Sequence, residues 1–198
     1  SVITGDVSAP QLGLDTALYQ SLHVENVYHA AADVRHYTTD PGALQTNVQG
    51  TIGVIEFCRQ SGATLHHIST ISVSGDSVPG SSQAIYFKEE DFEIGQNWMD
   101  NIYVRGKYLA EQQVHSAISS GLDAKIYRVG RLVSRSSDGI FQRNPSGNTF
   151  YHLIRAIHAL GVIPASFSDL LVDLTPVDVC AQAIVALRRA AGPVFHVI

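Results

Sequence analysis

Apolar residues along this chain keep two alternating rhythms. Short apolar runs bounded by turn-forming residues predict strands over residues 24–32, 64–69, 122–129, 170–174 and 193–198. Between them the apolar spacing lengthens to three or four residues. Leu44, Val48, Ile52, Ile55 and Phe57 predict a helix over 41–60, stopped at Gly62. Further helices are predicted over 101–119, ending before Gly121, and over 150–160, ending before Gly161. A last helix opens at Pro176, with Thr175 placed to cap it. Two stretches break both rhythms: 74–97, rich in Ser, Gly, Pro and acidic residues, and 131–148. Irregular segments of that length in a compact domain usually carry function.

Strands alternating with helices predict an α/β fold, a doubly wound parallel sheet covered by helices on both faces. Ligands of such sheets bind outside the carboxyl ends of the strands. Segments 30–33, 69–72 and 128–130 fall at those ends, as does the start of the 101–119 helix. Four stretches distant in sequence are therefore expected to line one crevice.

Composition removes several function classes. The 198 residues are 45% hydrophobic and 16% charged, which suits one soluble globular unit with a true core, or one domain plus part of a second. A net charge of −5 without any Lys/Arg-rich block argues against nucleic acid or an anionic membrane as the main partner. The longest apolar stretches have strand length, far short of a membrane span. The chain opens without a basic n-region, and a cytoplasmic location is expected. Cys58 and Cys180 lie in helical patterns without metal-like spacing and read as buried free thiols. His66 and His67 are strand neighbours, whose side chains face opposite ways. One of the two is expected to be buried and hydrogen-bonded, and no metal site is expected.

Candidate chemistry centres on Tyr103 and Lys107. Four residues apart at the head of a predicted helix, they share one helix face. An ammonium beside a phenol favours the phenolate and would make the tyrosine an acid that works near neutral pH. In isolation such a pair is most often a surface pair. Its position at the expected crevice gives it weight.

The surrounding residues carry a resemblance. Tyr103-x-x-x-Lys107 follows a strand ending in Ser69-Thr70, an Ala-Ala loop and Asn47-Val-Gln-Gly-Thr51, and Thr70 stands five residues before Gly75. This set is similar to the extended short-chain dehydrogenase/reductases. Three longer stretches resemble, within that superfamily, the thioester reductase domains of nonribosomal peptide synthetases. They are Phe92-Glu-Ile-Gly-Gln-Asn97, residues 100–111, and 128–144, which includes Asp138-Gly-Ile-Phe-Gln-Arg-Asn144. The resemblance implies a Rossmann-like fold and NADPH-dependent reductive release of a thioester from a phosphopantetheinyl carrier protein domain, to an aldehyde or on to an alcohol. It implies Thr70, Tyr103 and Lys107 as catalytic residues, with Lys107 also bonding the nicotinamide ribose. It places Asp6 and Val7 at the adenine and Ala30, Ala31 and Ala32 at the pyrophosphate and ribose. Asn47, Ser69 and Tyr103 join the cofactor contacts, Val129 and Gly130 flank the carboxamide, and Asn47 also braces the active-site strand. Phe141, Gln142 and Asn144 are expected to line the channel for the pantetheine arm.

Departures from the family pattern qualify this. No Gly-x-x-Gly-x-x-Gly occurs, and the chain starts near the family's third strand, so the first βαβ unit is missing. The expected organisation is a partial Rossmann-like core over 1–134 and 170–198, with 135–169 as part of a small substrate-binding subdomain. Gly106 stands where the family usually has Ser, and Arg131 replaces a common Asn. Residues that would separate NADP from NAD are not among these. Two other readings stay open: another extended short-chain dehydrogenase, such as a sugar epimerase or hydroxysteroid-type enzyme, and a non-catalytic truncated binding module.

Overall fold

Four strands build the main sheet: β1 (Asn26–His29), β2 (Thr64–Thr70), β3 (Ala124–Val129) and β6 (Val194–Val197). They lie in the order β1-β2-β3-β6, all parallel. The computed structural model describes residues 2–36, 38, 40, 42–75, 86–143, 148–165 and 172–198. A second, two-stranded parallel ladder joins β4 (Leu132–Val133) to β5 (Thr175–Pro176). Register places Thr70 beside Val129 and Val129 beside Val197, which levels three strand ends at one edge of the sheet.

Helices cover both faces, as a parallel sheet requires. On one face pack α2 (Gly42–Ser61) and α3 (Ile102–Ser119). Their buried residues, including Val54, Ile55, Cys58, Val114 and Ala117, close over Leu65, Ile126 and Val194. On the other face α5 (Val177–Leu187) sets Cys180 and Ile184 against Tyr127, Val129, Phe195 and Val197. Alternate residues of one strand thus feed different cores, as the two-residue period dictates. Both cysteines are free and buried, and burial pushes the Cys58 thiol up to about 11. Among the described residues no helix is long and apolar enough to cross a membrane.

Several expectations shift. The first strand starts at Asn26 rather than at residue 24, and the third at Ala124 rather than 122. A short helix α1 (Thr16–Ser21) appears where no periodicity announced it. It is fixed by Asp15, whose carboxylate accepts from the amides of Ala17 and Leu18. Residues 172–174 of the expected 170–174 strand are not in a strand, and 170–171 lie outside the described residues. Pairing begins instead at Thr175, which is therefore not the cap of α5. Pro176 holds the cap position with extended backbone, and no side chain bonds there. The remaining helix, α4 (Thr149–Leu160), agrees with the sequence to within a residue and is capped by Asn148.

His66 is the one of the pair that is buried and hydrogen-bonded, as expected, and His67 is buried as well. His66 bonds Tyr127 through Nδ1 and Asn26 through Nε2, both at 2.9 Å. His67, on the opposite face, has no partner on either ring nitrogen among the described residues and lies 5.4 Å from the ring of His29.

Candidate active site

The site starts where β2 stops. The Thr70 hydroxyl accepts from the amide of Ser72 at 3.2 Å and turns the chain out of the strand. Gly75 then takes φ +67°, and a Cβ there would stand 2.5 Å from the carbonyl oxygen of Asn97. Only glycine permits both that backbone and that approach. The long loop therefore leaves and returns at one point. Four residues beyond Asn97, the Asn101 side chain caps α3, accepting from the amides of Tyr103 at 2.9 Å and Val104 at 3.2 Å.

This cap directs the first turn of α3 at the end of β2. The Tyr103 hydroxyl hydrogen-bonds with Thr70. One turn on, Lys107 is 6% exposed, and its Nζ donates to the Ile68 carbonyl at 2.5 Å. Thr70, Tyr103 and Lys107 thus meet at one strand end. The expected acidification of Tyr103 is reversed in direction. Burial raises its pKa, and the bond to Thr70 only pulls it back. Tyr103 rests as a neutral phenol, the form that can give a proton. Burial acts on Lys107 as well, lowering its ammonium to about 8, while Glu111 pulls it up.

The loop after β1 forms the neighbouring wall. Ala30 and Ala31 are exposed and Ala32 half-buried. Asn47 clamps the next residue from α2: its Oδ1 accepts from the Asp33 amide at 2.7 Å, and its Nδ2 donates to the Asp33 carbonyl at 3.0 Å. Asn47 therefore braces this loop rather than the strand of Thr70. Gly106 gives it room, since a Cβ there would come within 2.8 Å of the Asn47 Nδ2. Asn47→Ala removes both bonds from half-buried backbone and is expected to cost about 1–3 kcal/mol. Urea denaturation measures that loss, and a stability within error of wild type would deny Asn47 the clamp.

Gly130 lies at the end of β3, its amide bonded to the Val197 carbonyl at 3.0 Å. A Cβ on Gly130 would stand 2.5 Å from Asp173 Oδ2 and 2.8 Å from Thr175 Oγ1. The Thr175 hydroxyl is buried and has no partner among the described residues. A bare backbone and an unused hydroxyl beside Val129, level with Thr70, fit an amide-bearing ring such as nicotinamide. Asp6 and Val7 lie on the approach to α1. The Asp6 carboxylate bonds the Ser8 amide and hydroxyl, and Val7 packs where Gly50 of α2 leaves space. The hydroxyl of Ser69 turns the other way, donating to Glu111. Phe141 stacks on Tyr151 of α4 at 5.6 Å, Gln142 is exposed, and Asn144 lies outside the described residues.

Three participants escape a reading of motifs. His36 lies beside Tyr103, ring centroids 4.5 Å apart, with its Nδ1 3.4 Å from the Asn101 amide nitrogen. Glu111 and Arg128 form an ion pair at 2.7 Å with both side chains fully buried. Arg128 also donates to the carbonyls of Lys88 and Asp91, at 3.2 and 2.7 Å, and lies over the ring of Phe87. It thereby ties the 86–97 segment to the sheet. Gln96 bonds Val73 and Phe92, and Phe92 and Trp98 stack on Tyr108 from α3. The signal for Glu111 was present: it follows Tyr103 by eight residues, on the same helix face.

A parallel sheet with Thr, Tyr and Lys gathered at its carboxyl edge defines a Rossmann-like domain of the extended short-chain dehydrogenase/reductase kind. The chain belongs to the NAD-binding male sterility protein family, which it matches over residues 1–184. It is 27% identical over 200 residues to an isonitrile lipopeptide synthase of Streptomyces coeruleorubidus, covering 98% of this chain and 13% of that protein. A thiolation-reductase di-domain from an archaeal nonribosomal peptide synthetase superposes with a TM-score of 0.82 at 34% identity, over 93% of this chain and 39% of that one. The terminal R domain of the myxalamid PKS-NRPS pathway gives a TM-score of 0.86 at 27% identity, over 98% and 48%. The chain spans less than half of either solved structure.

Proposed function

We propose that this chain is the catalytic part of a thioester reductase that releases an acyl or peptidyl group from a phosphopantetheinyl carrier domain as an aldehyde. The observation that carries the reading is the meeting of Thr70, Tyr103 and Lys107 at the end of β2, in a chain similar to reductase domains of peptide synthetases. The family supports a nicotinamide cofactor, and NADP(H), acting in the cytoplasm, is the form proposed. Thr175, Gly130 and Val129 would hold its carboxamide end, the Ala30–Ala32 loop its pyrophosphate, and Lys107 its ribose. When bound it supplies a hydride to the thioester carbonyl carbon.

The protein's own residues handle the charge that results. Tyr103 and Thr70 point hydroxyl donors at the carbonyl oxygen as it becomes an oxyanion. Tyr103, kept neutral by burial, passes its proton to that oxygen. The hemithioacetal so formed then collapses: the C–O double bond reforms, the C–S bond breaks, the hydroxyl proton returns to Tyr103, and the carrier sulfur leaves as a thiolate that takes a proton from solvent. Phe141, Gln142 and Asn144 are proposed along the path of the pantetheine arm, within a substrate-side segment over 135–169.

The test is NADPH oxidation by the full-length protein with an acyl-pantetheine thioester, with the aldehyde trapped as an oxime. One aldehyde per NADPH, with NADH much poorer, is the expected result. Turnover of a nucleotide sugar or a hydroxysteroid with no consumption of the thioester would overturn it.

A further inference from the structure

Tyr103, Lys107 and Glu111 occupy successive turns on one face of α3, and the face looks into the sheet. The third is as buried as a carboxylate can be, at 0% exposure. Its oxygens are fully engaged: Oε1 accepts from Arg128 Nε at 3.0 Å and Nη2 at 2.7 Å and contacts His115 Nε2 at 3.3 Å, while Oε2 accepts from Ser69. Ser69 is the residue before Thr70, so the carboxylate holds the strand end that presents the threonine. Burying a carboxylate this deeply is costly unless it is paired and fully hydrogen-bonded. Arg128 alone does not account for it, since replacing such a pair by apolar residues is often neutral or stabilising.

We infer that Glu111 is a positioning residue of the reductase site, keeping Lys107 cationic inside the sheet while anchoring Ser69 so that Thr70 faces Tyr103. This rests on the reductase reading above and adds to it. The groups around Lys107 leave the work to Glu111. From β1 it is faced by His29 and from β2 by His67, both held neutral by burial. On its own helix stand the neutral Tyr103, then Glu111 and, a further turn on, His115. From β3 comes Arg128, a second cation beyond the carboxylate. Burial drives Lys107 to about 8, and Glu111 is the carboxylate that opposes the drop. Without it the amine would shed its proton within the working range of pH.

Two readouts test this in the full-length protein. The first needs no turnover: the ε-ammonium of Lys107, followed by NMR in lysine-labelled protein, titrates near 8 in wild type and about one pH unit or more lower in Glu111→Gln. The second is the alkaline limb of the kcat–pH profile, which moves down by the same amount. Glu111→Asp, which keeps the charge, leaves the limb in place whatever its kcat. Glu111→Gln strands the buried Arg128 charge, so the Glu111→Gln/Arg128→Gln double variant decides the matter, having no unpaired buried charge. A folded variant with lowered kcat but an unmoved Lys107 titration and limb makes Glu111 merely structural and overturns the inference. The reductase reading fails on different evidence, namely thioester turnover that survives Lys107→Met.

Discussion

Replacing Tyr103 with Phe is expected to lower kcat for thioester reduction about 10²–10³-fold, the usual loss when one donor to a developing oxyanion is removed. Binding should change far less, because the ring, its packing against His36 and the cap at Asn101 all remain. Stability should fall by no more than about 1 kcal/mol, the net worth of the lost bond to Thr70. Steady-state kinetics with a pantetheine thioester, together with a denaturation curve, separates these effects. A variant that retained more than a tenth of wild-type kcat would remove Tyr103 as the proton donor. Thr70 would then be the first place to look, since its hydroxyl is the nearest other donor.

Acidification from pH 7 to pH 4 is expected to remove about 3 kcal/mol of folding stability through His29 alone. Burial, aided by the charge of Lys107, lowers this imidazole to about 4 from a normal 6.5. Below pH 6.5 the unfolded chain takes up a proton that the folded chain refuses until pH 4. Stability therefore declines across that window and levels off beneath it. His67 shifts in the same direction, chiefly by burial and then through Lys107, His29 and His115, and steepens the decline. Urea midpoints measured at several pH values between 7 and 4 give the slope. His29→Gln should flatten it, and an unchanged slope in that variant would place the acid sensitivity elsewhere.

The strand and helix order was legible because most elements carry a clear period. The 20-residue α2 was placed by Leu44, Val48, Ile52, Ile55 and Phe57, of which only Ile55 and Phe57 are buried; the buried side runs through Ala43, Asn47, Thr51, Val54 and Cys58 instead. Thr70, Tyr103 and Lys107 were legible through spacing and family likeness together. The Thr175 cap failed because a two-residue ladder to Leu132 leaves no pattern in sequence and outcompetes the helix for the threonine. Helix α1 failed for the opposite reason: six residues with a single buried side chain, Tyr19, are too few to show a period. Arg128 was invisible because a charged residue in a central strand reads as an exception, and its partners come from 17 to 68 positions away. The direction of the Tyr103 shift could not be read either, because sequence shows the neighbouring charge but not the depth of burial.

The contact between Gly75 and Asn97 has a bearing on how this fold can be altered. Two residues 22 positions apart touch through backbone, so the excursion between them is closed at its neck. The ends of the excursion are thereby fixed beside the strand end of Thr70 and the cap of α3, while Arg128 and Tyr108 hold its 86–97 part. Lengthening a closed excursion twofold costs only about 0.6 kcal/mol. Length can therefore be added between Gly75 and residue 86 at small cost in closure, provided the neck keeps its glycine and the 86–97 contacts to Arg128 and Tyr108 are left in place.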